Sequence, residues 1–89
     1  MRVLVATVKT KTGLHARPAA LLVNCVSKFT STITIKKGEQ EGNLKSLLDL
    51  LSLGVEQGDQ ITITVDGKDE DEDEVIAALN RCAAENELW

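Results

Sequence analysis

Tyrosine is absent from this 89-residue chain, and phenylalanine, tryptophan, histidine, proline and methionine occur once each. With so few rings, an interior has to be built from valine, isoleucine, leucine and alanine, so stability rests on aliphatic packing. No hydrophobic run approaches the roughly 20 residues that a helix needs to cross a bilayer, so membrane insertion is not expected. The opening MRVLVATVKT alternates apolar and polar residues like a strand and lacks the apolar core and cleavage site of a secretory signal, which points to the cytoplasm. An excess of positive charge is missing too. Ten lysines and arginines stand against 14 acids, the formal charge is −4, and the scattered basic residues form no stripe to meet a phosphate backbone, which argues against nucleic acid as a partner.

The two cysteines, Cys25 and Cys82, are in neither CxxC nor any other metal-binding spacing, and each falls among apolar residues of a predicted helix. They are expected to be reduced core residues, with no metal and no cofactor implied. Eighty-nine residues suffice for one core but not for a second one, or for an enclosed cleft with a lid, so a single domain over 1–89 is expected.

Residues 2–8 read as a strand, with Val3, Val5 and Thr7 on one face and Leu4, Ala6 and Val8 on the other; TG at 12 and 13 ends it. From Ala16 to about Phe29, Pro18, Leu22, Cys25, Val26 and Phe29 recur at helical spacing, with proline tolerated in the first turn. STITIKKGEQEGN predicts a hairpin turning near Gly38, with a short return strand to Asn43. SLLDLLSLG predicts a short helix capped by Ser46, with Asp49 placed as in a capping box and Gly54 at the exit. QITITV, 60–65, is a last strand, and DG at 66 and 67 turns the chain.

Six consecutive acids, Asp69 to Glu74, then open a third helix, where negative charge suits the positive end of the helix dipole. Its buried stripe is Val75, Ile76, Leu79, Cys82 and Ala83, and Trp89 reads as a frayed or lightly packed terminus. The order β-α-β-β-α-β-α implies an α/β fold of the α+β kind, an open-faced sandwich with a four-stranded antiparallel sheet covered on one face by three helices.

In KTGLHARPAALLV the lone histidine, His15, sits at the start of the first helix, where backbone N–H groups point outward unpaired. The helix terminus favours the neutral imidazole, whose lone pair is nucleophilic. A phosphoryl group accepted there would lie against an anion site made by the N–H groups of Ala16 and Arg17, with the Arg17 guanidinium as counter-charge. The competing reading is a plain capping or surface histidine, and spacing alone does not separate the two.

GLHARPAALLV, followed by NLKSLLDLLSLGV and GDQITITVDGKDE at the expected distances, resembles the HPr family. These are the histidine-containing phosphocarriers of the bacterial phosphoenolpyruvate:sugar phosphotransferase system, and the likeness covers essentially the whole chain. It implies an open-faced β-sandwich with three helices, and a relay in which enzyme I phosphorylates the histidine and IIA domains of sugar transporters receive the group. His15 matches the phosphorylated position, through either ring nitrogen, and Arg17 the arginine beside it. The chain would then be a carrier and a substrate of other enzymes, not an enzyme, and a monomer is expected.

By the same resemblance Ser46 matches the serine that HPr kinase/phosphorylase modifies in many Gram-positive members. It also reads simply as a helix cap, and Asp49 one turn along would repel a phosphate there. Leu44, Leu50 and Leu53 are the core candidates of the short helix. Leu47, Leu48 and Leu51 are expected to form an exposed docking patch, with Thr12, Ala16 and Ala20 completing its rim. The alternatives are a family member serving a nitrogen-type or regulatory relay, and a binding module outside sugar uptake; His15 speaks against a module that has lost transfer, since regulatory relatives lack the histidine.

Overall fold

The computed structural model describes residues 1–89. Seven elements follow in the expected order: β1 (Arg2–Thr7), α1 (Ala16–Val26), β2 (Thr32–Lys37), β3 (Gln40–Asn43), α2 (Leu47–Ser52), β4 (Gln60–Asp66) and α3 (Asp69–Asn86). The strands form one antiparallel sheet in the order β1-β4-β2-β3, so the last strand in sequence lies between the first two.

Period-two alternation gives the sheet one dry face. Ile33 and Ile35 of β2 and Ile61, Ile63 and Val65 of β4 are buried together, and Leu4 and Ala6 pair with Ile63 and Ile61 at the core side of β1. Val3 and Val5 point to the opposite, open face, beside Thr64 and Thr62, and stay exposed. Ala19, Leu22 and Val26 of α1 and Val75, Leu79, Cys82 and Ala83 of α3 close the core from the helix side.

Several boundaries differ from the sequence expectation. β1 ends at Thr7, one residue early, because Val8 bonds to the loop before β4: its N–H donates to Asp59 and its carbonyl accepts from Gly58. α1 ends at Val26 rather than near Phe29. The stripe it buries is Ala19, Leu22 and Val26, leaving Pro18, Cys25 and Phe29 at its half-buried margin, and Ile76 holds the same marginal position on α3. The end of the chain is tied down rather than frayed. Leu88 is buried, its N–H donates to Ala83 O and its carbonyl accepts from Lys9 N–H, while Trp89 packs against the core.

The acidic run is not wholly a solvated face. Glu72 is fully buried; its Oε2 accepts from Gly67 N–H at 2.8 Å and lies 3.1 Å from the Met1 ammonium, with Arg2 3.9 Å from Oε1. The Gly67 N–H first, and then the ammonium, hold this carboxyl below the usual glutamate range. Because the folded state binds its proton more weakly than the unfolded chain, the contribution is present above the ordinary glutamate value, about 4.3, and is lost as pH falls through the lower folded one. Glu72→Gln is therefore expected to be less stable at neutral pH and to show a shallower loss of urea midpoint between about pH 6 and about pH 2; parallel profiles for the two chains would contradict this.

Candidate functional site

Two segments far apart in sequence meet at the start of α1. Leu14 N–H donates to Val55 O at 2.9 Å, fixing the loop before α1 against the segment after α2. Gly13 permits the approach: its φ is +65, and a Cβ there would collide with the same oxygen. The chain steps from Gly13 to His15 on one side and from Val55 to Glu56 on the other, and His15 Nε2 lies 2.9 Å from Glu56 Oε2.

His15 is the N-cap of α1, with extended backbone and no side-chain cap bond, so its ring serves something other than capping. Its side chain keeps 35% of its surface exposed. A carboxylate at Nε2 accepts a hydrogen bond from the N–H of that nitrogen, which leaves the lone pair of a neutral ring on Nδ1. Glu56 is in turn braced: its N–H donates to Asp59 Oδ2 at 2.8 Å, and Asp59 pairs with Lys37 at 3.0 Å. The Glu56 N–H and then the Lys37 ammonium hold the Asp59 carboxyl below its usual range.

The next residue departs from the plain helical start expected of it. Ala16 has φ 50, in the left-handed region, which costs a non-glycine residue on the order of 1–3 kcal/mol. Arg17 follows, exposed and outside every salt bridge of the chain. Pro18 has no N–H to offer, so Ala16 and Arg17 carry the donors that the first turn leaves free.

Ser46 is the N-cap of α2, and its Oγ accepts from Asp49 N–H at 3.2 Å. The reciprocal half of a capping box is missing. Ser46 N–H is already bound to Asn43 O, and the Asp49 carboxylate turns to β3 instead, accepting from Asn43 N–H at 2.9 Å. Leu44, Leu50 and Leu53 are buried as expected, while Leu47, Leu48 and Leu51 are 40%, 77% and 37% exposed. α2 packs against α1, Thr12 is exposed in the turn before α1, and Ala20 lies half-buried one turn into it.

Residues 5–85 match the family model described as the PTS HPr component phosphorylation site. The chain belongs to the HPr family. It is 42% identical to the phosphocarrier protein HPr of Mycoplasma genitalium over 84 residues, 93% of either chain. A solved structure of a mycoplasma histidine-containing phosphocarrier protein superposes with a TM-score of 0.92 at 39% identity, covering 98% of this chain and 97% of the other. A crystal structure of an HPr dimer from Thermoanaerobacter tengcongensis gives 0.73 at 42% identity, with coverage of 98% and 97%. The role that goes with this membership is that of a phosphocarrier of the phosphotransferase system. No helix of this HPr chain is long and apolar enough to cross a membrane.

Glu56 is the site residue that the sequence did not reveal. It lies 41 positions from His15, in a polar loop with no motif of its own, and only the Gly13–Val55 contact brings it there. Glu56→Ala is expected to redistribute the neutral His15 ring between its two tautomers, where the parent favours the Nε2–H form. Imidazole ¹⁵N shifts report this directly, and identical spectra for parent and variant would remove Glu56 from the site.

Proposed function

We propose that His15 is the phosphoryl acceptor of a one-domain, cytoplasmic carrier that takes the group from phosphorylated enzyme I and passes it to IIA domains of sugar transporters. The observation that carries this reading is the exposed imidazole at the α1 N-cap, held through Nε2 and not used as a cap. The Nδ1 lone pair attacks the donor's phosphorus; the new N–P bond forms as the donor's bond to phosphorus breaks, and the donor keeps that electron pair. The N–H groups of Ala16 and Arg17 and the Arg17 guanidinium receive the phosphoryl oxygens. In the second transfer the IIA side chain attacks the same phosphorus and His15 leaves with its lone pair restored.

Such a chain is a substrate of its partners' active sites rather than an enzyme itself. An open edge suits that role, since partners supply the remaining transition-state stabilisation. Leu47, Leu48 and Leu51 form the apolar contact surface, rimmed by Thr12, Ala16 and Ala20. Ser46, next to those leucines, is the regulatory position for a kinase of the HPr kinase/phosphorylase type. The Asp49 carboxylate, bonded to Asn43 N–H, remains the charge that a phosphate on Ser46 would have to accommodate. The working form is a monomer, which sedimentation tests against the dimer solved for the Thermoanaerobacter relative.

Incubation with phosphoenolpyruvate and enzyme I is expected to add one acid-labile phosphoryl group, read by intact mass. His15→Ala should lose it while retaining the folded circular-dichroism spectrum, and Arg17→Ala should slow transfer roughly 10- to 100-fold, the worth of about one charge-assisted hydrogen bond. No addition to the parent chain would shift the reading to a regulatory binding module. Ser46→Asp places charge beside the leucines and is expected to weaken enzyme I binding in calorimetry; unchanged affinity would count against that docking face.

A further inference from the structure

At the opposite end of α1 from His15, Cys25 meets Cys82 of α3. Cys25 Sγ donates to Ala78 O at 3.2 Å, and Cys82 Sγ lies 3.9 Å from Leu21 O. Ala78 precedes Cys82 by four residues, and Leu21 precedes Cys25 by four. Helical side chains lean over the turn on their N-terminal side, so each sulfur lies on the patch that the other cysteine covers. Both thiols are free. The Cys82 thiol is pushed up to about 11, first by burial and then by the adjoining Cys25 thiol.

Their surroundings are unequal. Cys82 is buried, whereas Cys25 is partly open and lines a groove of about 460 Å³ between α1 and α3. Lys28, Arg81 and Glu74 also line it, two cations against one carboxylate, which favours a small anionic reagent over a neutral one. Neither cysteine belongs to the site around His15.

We propose that Cys25 and Cys82 are a modification site, a dithiol that an anionic low-molecular-weight disulfide of the glutathione disulfide class oxidises to a bond between α1 and α3. Cys25, as its thiolate, attacks one sulfur of the reagent; the reagent's S–S bond breaks and the first thiolate departs. Cys82 then gives up its proton and attacks Cys25 Sγ, expelling the second thiolate. Two protein thiols are oxidised, one external disulfide is reduced to two thiols, and these take up the two protons released. Excess thiol reverses both steps. The order follows from access: Cys25 is reachable and Cys82 is not, while contact between the two raises the effective concentration of the resolving thiol.

The test incubates the full chain with glutathione disulfide at neutral pH without denaturant, followed by acid quench, intact mass, peptide mapping and a melting curve. The expected product is lighter by two hydrogen atoms, yields a Cys25–Cys82 linked peptide, and melts higher by on the order of 10 °C, since the bond constrains the unfolded chain. Dithiothreitol should restore the starting values. Cys82→Ser should stop at a single glutathione adduct on Cys25, and Cys25→Ser should stay unmodified. A parent chain that remains unmodified, stops at the mixed disulfide, or links to a second copy overturns the proposal, and wild-type mapping decides this even if a variant fails to fold. His15→Ala should behave as the parent does, so the outcome is separate from that of the carrier reading.

Discussion

The candidate site of this molecule depends on a close approach between two stretches of backbone. The carbonyl of Val55 receives Leu14 N–H and sits where the Cβ of any residue other than glycine at position 13 would be. That contact joins the end of the first β–α connection to the exit of the short helix, and the imidazole and the carboxylate that meet across it are each one residue further along. Lys37 braces the same corner from β2, donating to Gly54 O at 2.8 Å as well as pairing with Asp59. The His15 ring is thus held by the sheet, by the α2 exit and by the loop before α1 together, although the ring itself stays open to solvent.

Much of the fold was legible because it follows from periodicity. Alternation in ITI and QITITV separates a dry face from a wet one, and the spacing of Leu22, Val26, Val75, Leu79 and Cys82 turns helices onto that dry face. The start of α1 was legible as well, since histidine, arginine and proline stand where a first turn leaves donors free. What remained hidden depends on residues distant in sequence. Nothing in EDEDE distinguishes Glu72 from its neighbours; the nearby Gly67 N–H, the Met1 ammonium and Arg2 make its burial tolerable. Nor does a capping-box pattern foretell that Asn43 will occupy Ser46 N–H and offer its own N–H to Asp49. Alanine, too, is no marker of left-handed backbone, so the conformation of Ala16 had no local signal.

Packed and open parts are kept separate in this phosphocarrier. Firm packing lies beneath α1 and α3, in an aliphatic core that includes Ile33, Ile35, Ile61 and Ile63. Leu50 of the short helix and the flanking Leu44 and Leu53 are buried while Leu47, Leu48 and Leu51 stay outside, so one amphipathic segment contributes to the core and to the surface at once. Charge is used differently at the two ends of the sheet-covering layer. Near His15 it orients a ring, whereas at the start of α3 it anchors a turn: Asp71 accepts from Ser31 N–H at 2.9 Å and Glu72 from Gly67 N–H.

The strand order also leaves two free margins, β1 and β3, and an unpaired margin is a template on which a foreign strand can grow. The chain manages them unequally. β3 is four residues long and polar, and the Asp49 carboxylate occupies the N–H of Asn43. β1 is longer and shows Val3 and Val5 to water, with Arg2, held to Asp73 at 2.9 Å, as its flanking charge. The β1 margin is therefore the longer of the two open templates, and Arg2 is the charge that flanks it, so a loss of that charge would expose the apolar strand edge most directly.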